Sequence, residues 1–349
     1  MRVVVVGASG NVGTSVLAAL AADPDVRSVI GIARRRPRLE VPKNEWAVAE
    51  VSRDDLVPHF EGADAVVHLA WAIQPSRDQD ALRRTNVDGS ARVFDATARA
   101  KVPVLVYASS VGAYSAGPKD RSVEESWPTE GIPTSFYARH KAAVERQLDQ
   151  FEATHEGIRI VRLRPGLIFK RDAASEIRRY FAGPLLPSRL VRDRLIPIIP
   201  DIPRLRFQAV HADDVAQAYR LAIKGDVRGA FNIAAEPVLD PERLAKLLGA
   251  RRIKMPPGVL RAGADLTWRL RLQPTPPGWL DMALAVPIMD TARARTELGW
   301  SPAASATGAL RELLDGIRSR RGLPTPPLDP GAGGPLRVGE LATGVGGRP

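Results

Sequence analysis

The chain has 349 residues, of which 44% are hydrophobic and 26% charged, with no Cys and a net charge of +11. That length and apolar content suit one large folded domain or two closely joined ones. They exclude wholesale disorder, and the absence of Cys excludes a disulfide framework, a thiolate nucleophile and a Cys-ligated zinc site. Four valines at the N-terminus are too short for a signal-peptide core and no run of about 18 apolar residues occurs, so a cytoplasmic protein without a membrane partner is expected.

Val3–Val6 is a β-branched run closed by Gly7, and Val12–Ala22 has helical character. Ser28–Ala33, Trp46–Val51, Ala65–Ala70, Val104–Ala108 and Ile158–Leu163 are further apolar runs, with helical segments at Thr85–Ala100 and Phe136–Glu152. Strands alternating with helices predict an α/β fold, a doubly wound parallel sheet (Rossmann) covered on both faces. In the second half, Pro and Arg break residues 171–206 into short pieces. Asp213–Lys224 and Asp240–Leu248 read as helices, with a short strand at Ala230–Ala234 between them. The expected organisation is a dinucleotide-binding domain over 1–170 that takes back the strand and helix around 207–235, and a smaller C-terminal α/β substrate-binding lobe over 171–321. Residues 322–349 hold 14 Gly plus Pro in 28 positions and are expected to be a disordered tail.

The basic charge is uneven: residues 159–206 hold 12 Arg or Lys against 4 Asp or Glu. A solvated face, a surface for an anionic small molecule and a nucleic-acid contact all fit such a segment. Aromatics at 5% are poor for base stacking, so nucleic acid is not expected as a partner.

Gly7-Ala8-Ser9-Gly10-Asn11-Val12-Gly13 is a G-x-x-G-x-x-G turn between a strand and a helix. Gly7 allows the tight turn, Gly10 lets backbone N–H groups approach a pyrophosphate, and Gly13 allows close helix–strand packing. Where an acidic residue would bind the adenosine ribose, the second strand ends in Arg34-Arg35-Arg36. Arg holds a 2′-phosphate that a carboxylate would repel, which predicts NADP, with NAD as the other possibility. Glu50 and Val51 are candidates for the adenine edge.

Tyr137-Ala138-Arg139-His140-Lys141 is Y-x-x-x-K, and i,i+4 spacing puts both side chains on one helix face. A Tyr acting as a base near neutral pH must lose about 3 units, or about 4 kcal/mol. An ammonium about 6 Å away at an effective dielectric of about 20 supplies about 3 kcal/mol. Ser109 and Ser110 follow the fifth strand at the carboxyl edge of the sheet, where ligands bind in doubly wound folds, and either could orient a substrate oxygen or cap a turn.

Taken together, these segments resemble the extended short-chain dehydrogenase/reductases, the NAD(P)-dependent epimerase/dehydratases. The resemblance runs over about residues 1–315 and includes Asp64–Trp71, Asn86–Gly89, Leu163–Gly166, His211–Ala216 and Glu297–Pro302. It implies a catalytic Ser110, Tyr137 and Lys141, no metal, and cofactor contacts from Gly7, Ser9, Gly10, Asn11, Val12, Gly13, Leu69, Ala70, Trp71, Asn86, Tyr137, Lys141, Pro165, Gly166 and Leu167. It also implies a homodimer built on two helices, at Thr85–Ala100 and Phe136–Glu152. His68, His211 and the Asp213-Asp214 pair read as structural, the pair as a helix N-terminal cap. The chain departs from the family's pattern at Trp71, at the missing second-strand acid, at Val111-Gly112 where dehydratases carry Asp-Glu, and at Leu167 where sugar epimerases carry Asn. The expected function is hydride transfer between nicotinamide and a substrate carbonyl or hydroxyl, as an NADPH-linked reductase. A redox-neutral nucleotide-sugar epimerase with retained NAD, in which Arg178 or Arg179 grips the diphosphate, is the alternative. A non-catalytic NAD(P) sensor or scaffold is the third reading.

Overall fold

A computed structural model describes residues 1–74, 76–181 and 197–331. Its strands are β1 (Arg2–Val6), β2 (Ser28–Ala33), β3 (Asn44–Val48), β4 (Ala65–His68), β5 (Val104–Ala108), β6 (Ser122–Val123) and β7 (Arg159–Pro165). They continue as β8 (Leu167–Phe169), β9 (Ile198–Asp201), β10 (Phe207–His211), β11 (Gly229–Ile233), β12 (Ala235–Leu239), β13 (Arg251–Lys254) and β14 (Ile288–Met289). The α-helices are α1 (Asn11–Ala22), α2 (Val57–Phe60), α3 (Gln79–Arg83), α4 (Gly89–Arg99), α5 (Phe136–Thr154) and α6 (Ala174–Phe181). After them come α7 (Ala212–Lys224), α8 (Pro241–Leu248), α9 (Pro257–Arg269), α10 (Gly278–Ala285), α11 (Ala292–Thr296) and α12 (Ala306–Ser319).

Seven strands form one sheet in the order β11-β7-β5-β4-β1-β2-β3, every pair parallel. The valine run explains why β1 lies in its interior, between β4 and β2. Side chains alternate faces along a strand, and Val3 and Val5 enter one core cluster while Val4 and Val6 enter the other. A strand covered on both faces needs this unbroken apolar run. The chain winds one way from β1 through β2 to β3 and the other way from β4 onward. The gap between β1 and β4 is therefore the topological switch point, where such sheets bind ligands at their carboxyl ends.

β8, β10 and β12 form a three-stranded sheet, and β9 pairs with β13 and β6 with β14 in two-stranded ones. The expected return of the chain to the main sheet is made by β11, whereas β10 joins the smaller sheet and α7 packs on α1. The helix expected over Thr85–Ala100 is α3, a π-turn at Arg84–Asp88 and α4 in series. Part of the expected disordered tail is ordered among the described residues. Leu328 and Thr325 are buried, and the Pro324 carbonyl accepts from the Arg38 amide, so local apolar anchoring outweighs the Gly/Pro composition there. Residues 332–349 of that expectation, and 182–196 of the broken basic stretch, lie outside the described residues. Among the described residues no helix is long and apolar enough to cross a membrane.

Candidate active site

The glycine turn closes β1 and opens α1. Gly7 has φ +88°, and a Cβ there would stand 2.6 Å from the Ala70 amide nitrogen. A Cβ at Gly13 would stand 2.5 Å from the Gly7 carbonyl oxygen. Protein packing alone therefore demands glycine at both. Gly10 differs: its Cβ would meet nothing nearer than the Gly7 oxygen at 3.7 Å. Gly10 is the N-cap of α1, and no side chain caps that end. The open space at Gly10 and the uncapped N–H groups behind it fit a pyrophosphate. Ser9 and Val12 are half-buried in the same turn. Asn11 ties it to the next strand pair, its Nδ2 donating to the Ile168 carbonyl at 3.2 Å. Lys170 adds a clamp the sequence did not disclose: its buried Nζ donates to the Asn11 carbonyl at 2.8 Å and to the Thr14 hydroxyl at 2.6 Å.

Arg34 and Arg35 are exposed immediately after β2, beside the turn, since the Gly7 amide donates to Ile32 O at 2.9 Å. The Glu50 carboxylate accepts from Ser52 and pairs with Arg53. Val51 is buried, and its Cγ2 would lie 2.8 Å from a Cβ at Gly89. The Val51 side chain thus belongs to the core, not to an adenine edge.

Tyr137 and Lys141 start α5, capped by the Ser135 hydroxyl. Ser110 follows β5; its Oγ accepts from the Gly112 amide at 3.0 Å and its side chain hydrogen-bonds Tyr137. Ser109 instead donates to Glu145 at 2.5 Å, so of the two serines it is Ser110 that meets Tyr137. Tyr137 does not titrate as the sequence suggested. Burial pushes its phenol up to about 12, against a smaller lowering from the Ser110 hydrogen bond. Lys141 does not offset this. Its Nζ donates to the Ala108 carbonyl at 2.6 Å, lies 3.5 Å from the Trp71 ring centroid and 5.8 Å from that of Tyr137. Burial holds its ammonium well below the ordinary lysine range, with Glu145 pulling the other way.

The amino-acid pattern of residues 3–234 matches the model of the NAD dependent epimerase/dehydratase family. The chain belongs to that family. It is 28% identical over 326 residues to an uncharacterised protein of Mycobacterium tuberculosis, a match covering 93% of this chain. The chain spans only 31% of the length of that relative. It is 30% identical over 186 residues to L-arabinose 1-dehydrogenase (NAD(P)(+)) of Haloferax volcanii, covering 50% of this chain and 70% of that one. In fold it is similar to UDP-glucose 4-epimerase of Thermus thermophilus in complex with NAD, with TM-score 0.66, 21% identity and coverage of 91% and 99%.

Several members of the family's motifs are held by structural duties here. Asn86 is buried and exchanges two hydrogen bonds with the Ala72 backbone, at 2.7 and 3.1 Å. It therefore anchors the Leu69–Ala72 loop. Gly166 is required by packing, since a Cβ would meet Gln208 O at 2.5 Å; Pro165 is buried, and Leu167 is exposed. His68 packs at the strand end as expected: it pairs with Ser90 at 2.9 Å, and burial lowers it to about 3. The helix cap at α7 is His211, not the acidic pair. Asp213 accepts from Ser15, and the Asp214 carboxylate accepts from the Ala303 and Ala304 amides.

Among the described residues, several cations of the basic stretch are tied to other parts of the protein. Arg162 and Arg164 are buried and converge on Glu145, at 3.0 and 2.9 Å. Arg159 donates to three backbone carbonyls, and Arg204 and Arg206 to others. Arg179 donates to the Pro327 carbonyl and Arg178 is buried, so the diphosphate grip suggested for them is not supported by their placement. A cavity of about 290 Å³ does carry Lys119, Arg121, Arg206 and Arg295, but Asp120, Glu236 and Asp290 share it and no candidate site residue lines it.

Proposed function

We propose that this protein reduces a substrate carbonyl with NADPH. The observation carrying the reading is Tyr137: a phenol held neutral by burial and hydrogen-bonded to Ser110 is a proton donor at neutral pH. The turn Gly7–Gly13 would hold the pyrophosphate, Arg34 and Arg35 the 2′-phosphate, and Leu69–Trp71 with Pro165–Leu167 the nicotinamide half. When bound, the reduced nicotinamide supplies the hydride that reaches the carbonyl carbon. Ser110 positions the carbonyl oxygen. Tyr137 Oη gives that oxygen its proton, so the carbonyl becomes an alcohol and the phenolate is reprotonated from solvent. Lys141 keeps a positive field behind the phenolate while it lasts.

A redox-neutral epimerase is the second reading, favoured by the fold likeness to UDP-glucose 4-epimerase in complex with NAD. The engaged Arg178 and Arg179 count against it. The same proposal includes a cytoplasmic homodimer formed through α4 and α5. Mass spectrometry of nucleotide released on denaturation, with NADPH and NADH titrations, separates the readings. An empty site preferring NADPH, with the preference reversed in an Arg34→Asp, Arg35→Asp double variant, supports the reductase. Stoichiometric retained NAD ends it.

A further inference from the structure

α9 turns an apolar stripe outward. Val259 and Leu266 are each 58% exposed, and Leu270, the residue that ends the helix, is 60% exposed. Spacings of seven and four put the three side chains on one stripe. Gly263 falls on the same stripe, and a Cβ there would meet nothing within 4 Å. A surface helix ordinarily faces such a stripe to the core, yet α9 buries none of its residues. Polar ties hold it from the opposite side, two residues further along the turn. Arg261 donates to both carboxylate oxygens of Asp281 on α10, at 2.8 and 3.1 Å. Arg77 donates to the Trp268 carbonyl at 2.7 Å and lies 4.3 Å from the centroid of its ring.

The charge around the stripe is nearly all of one sign. Residues 251–272 hold six Arg or Lys against one Asp. That residue, Asp265, is paired with Arg269 at 2.9 Å. Arg251 and Lys254 before the helix and Arg271 after it are exposed, and among the described residues they make no ion pair. A second copy of the chain would set these cations against cations. An anionic bilayer instead offers headgroup phosphates to the cations and acyl chains to the leucines. The expectation of no membrane partner rested on the missing spanning run, and a helix lying in the plane of the interface needs none.

We infer that α9 and the cations flanking it form a docking surface for an anionic membrane. Co-sedimentation of the full-length protein with phosphatidylcholine vesicles, with and without phosphatidylglycerol at about a third of the lipid, tests this. Binding is expected to the anionic vesicles only. A Leu266→Gln, Leu270→Gln variant should bind them about tenfold or more weakly, with thermal unfolding unchanged because neither side chain belongs to the core. An Arg251→Gln, Lys254→Gln, Arg271→Gln variant should lose about tenfold or more as well. Absence of binding to the anionic vesicles, equal binding to the neutral ones, or full binding by either variant overturns the inference. Dimerisation in sedimentation velocity that the leucine variant abolishes, without vesicle binding by the parent, gives the stripe to a second copy and overturns it too.

Discussion

The ammonium of Lys141 stands 3.5 Å from the centroid of the Trp71 indole, on its face, while donating to the Ala108 carbonyl at 2.6 Å. A desolvated cation over an indole gains about 2 kcal/mol, which here offsets part of the burial that depresses the Lys141 ammonium. On the proposed reading, Trp71 thus holds the cation that backs the Tyr137 phenolate. Trp71→Ala is expected to lower turnover about tenfold or more, with Trp71→Phe retaining most of it because a weaker quadrupole remains. Steady-state kinetics on the two variants decides; equal turnover in Trp71→Ala and the parent rejects the role.

Two glycines of one turn should separate folding from binding. Gly13→Ala drives a Cβ to 2.5 Å from the Gly7 carbonyl, so it should destabilise the fold by about 1–3 kcal/mol. Gly10→Ala meets no protein atom closer than 3.7 Å, so thermal unfolding of the free protein should barely move. Its methyl group occupies the space left for the pyrophosphate, and NADPH affinity should fall about tenfold or more. A Gly10→Ala protein that binds NADPH normally would remove the turn from the cofactor site.

The sheet was legible because β1 to β5 and β7 announce themselves by apolar runs ended at Gly, Pro or charged residues, and local pattern suffices for that. The Tyr137–Lys141 spacing and the Gly turn were legible for the same reason, being contained within one helix or one turn. What was not legible is long-range. Trp279 reaches Tyr137 across 142 positions of sequence, and nothing local marks it. The cations between 159 and 206 left a solvated face, an anionic ligand and nucleic acid all open because the partners of the described ones, Glu145 and scattered backbone carbonyls, come from other elements. The direction of the Tyr137 shift was missed because spacing gives the distance to Lys141 but not the burial that outweighs it.

Glu145 continues the Tyr137–Lys141 face by one more turn and is enclosed by Arg162, Arg164 and Ser109. The two guanidinium groups outweigh burial and hold its carboxyl down at about 2. Glu145→Gln leaves two buried cations short of a counter-charge and is expected to cost about 3–5 kcal/mol. Urea unfolding at pH 7 measures it. A loss below about 1 kcal/mol would mean that Asp149 and Glu152, which also reach Arg162, compensate.

His68 gives a pH dependence whose sign follows from its burial. Desolvation lowers it from 6.5 to about 3, so the native state holds it neutral at pH values where the unfolded chain is protonated. Its contribution is therefore complete above about pH 6.5 and declines as pH falls toward 3. At pH 5 the loss from this one group is about 2 kcal/mol. His140, lowered to about 4 by burial and by Arg139 and Arg83, acts in the same direction. His68→Gln keeps a hydrogen-bonding group opposite Ser90 without the titration. The variant is expected to lose less stability between pH 7.5 and pH 5 than the parent, by urea unfolding at both values. Parallel losses in the two proteins would show that the acid sensitivity resides elsewhere.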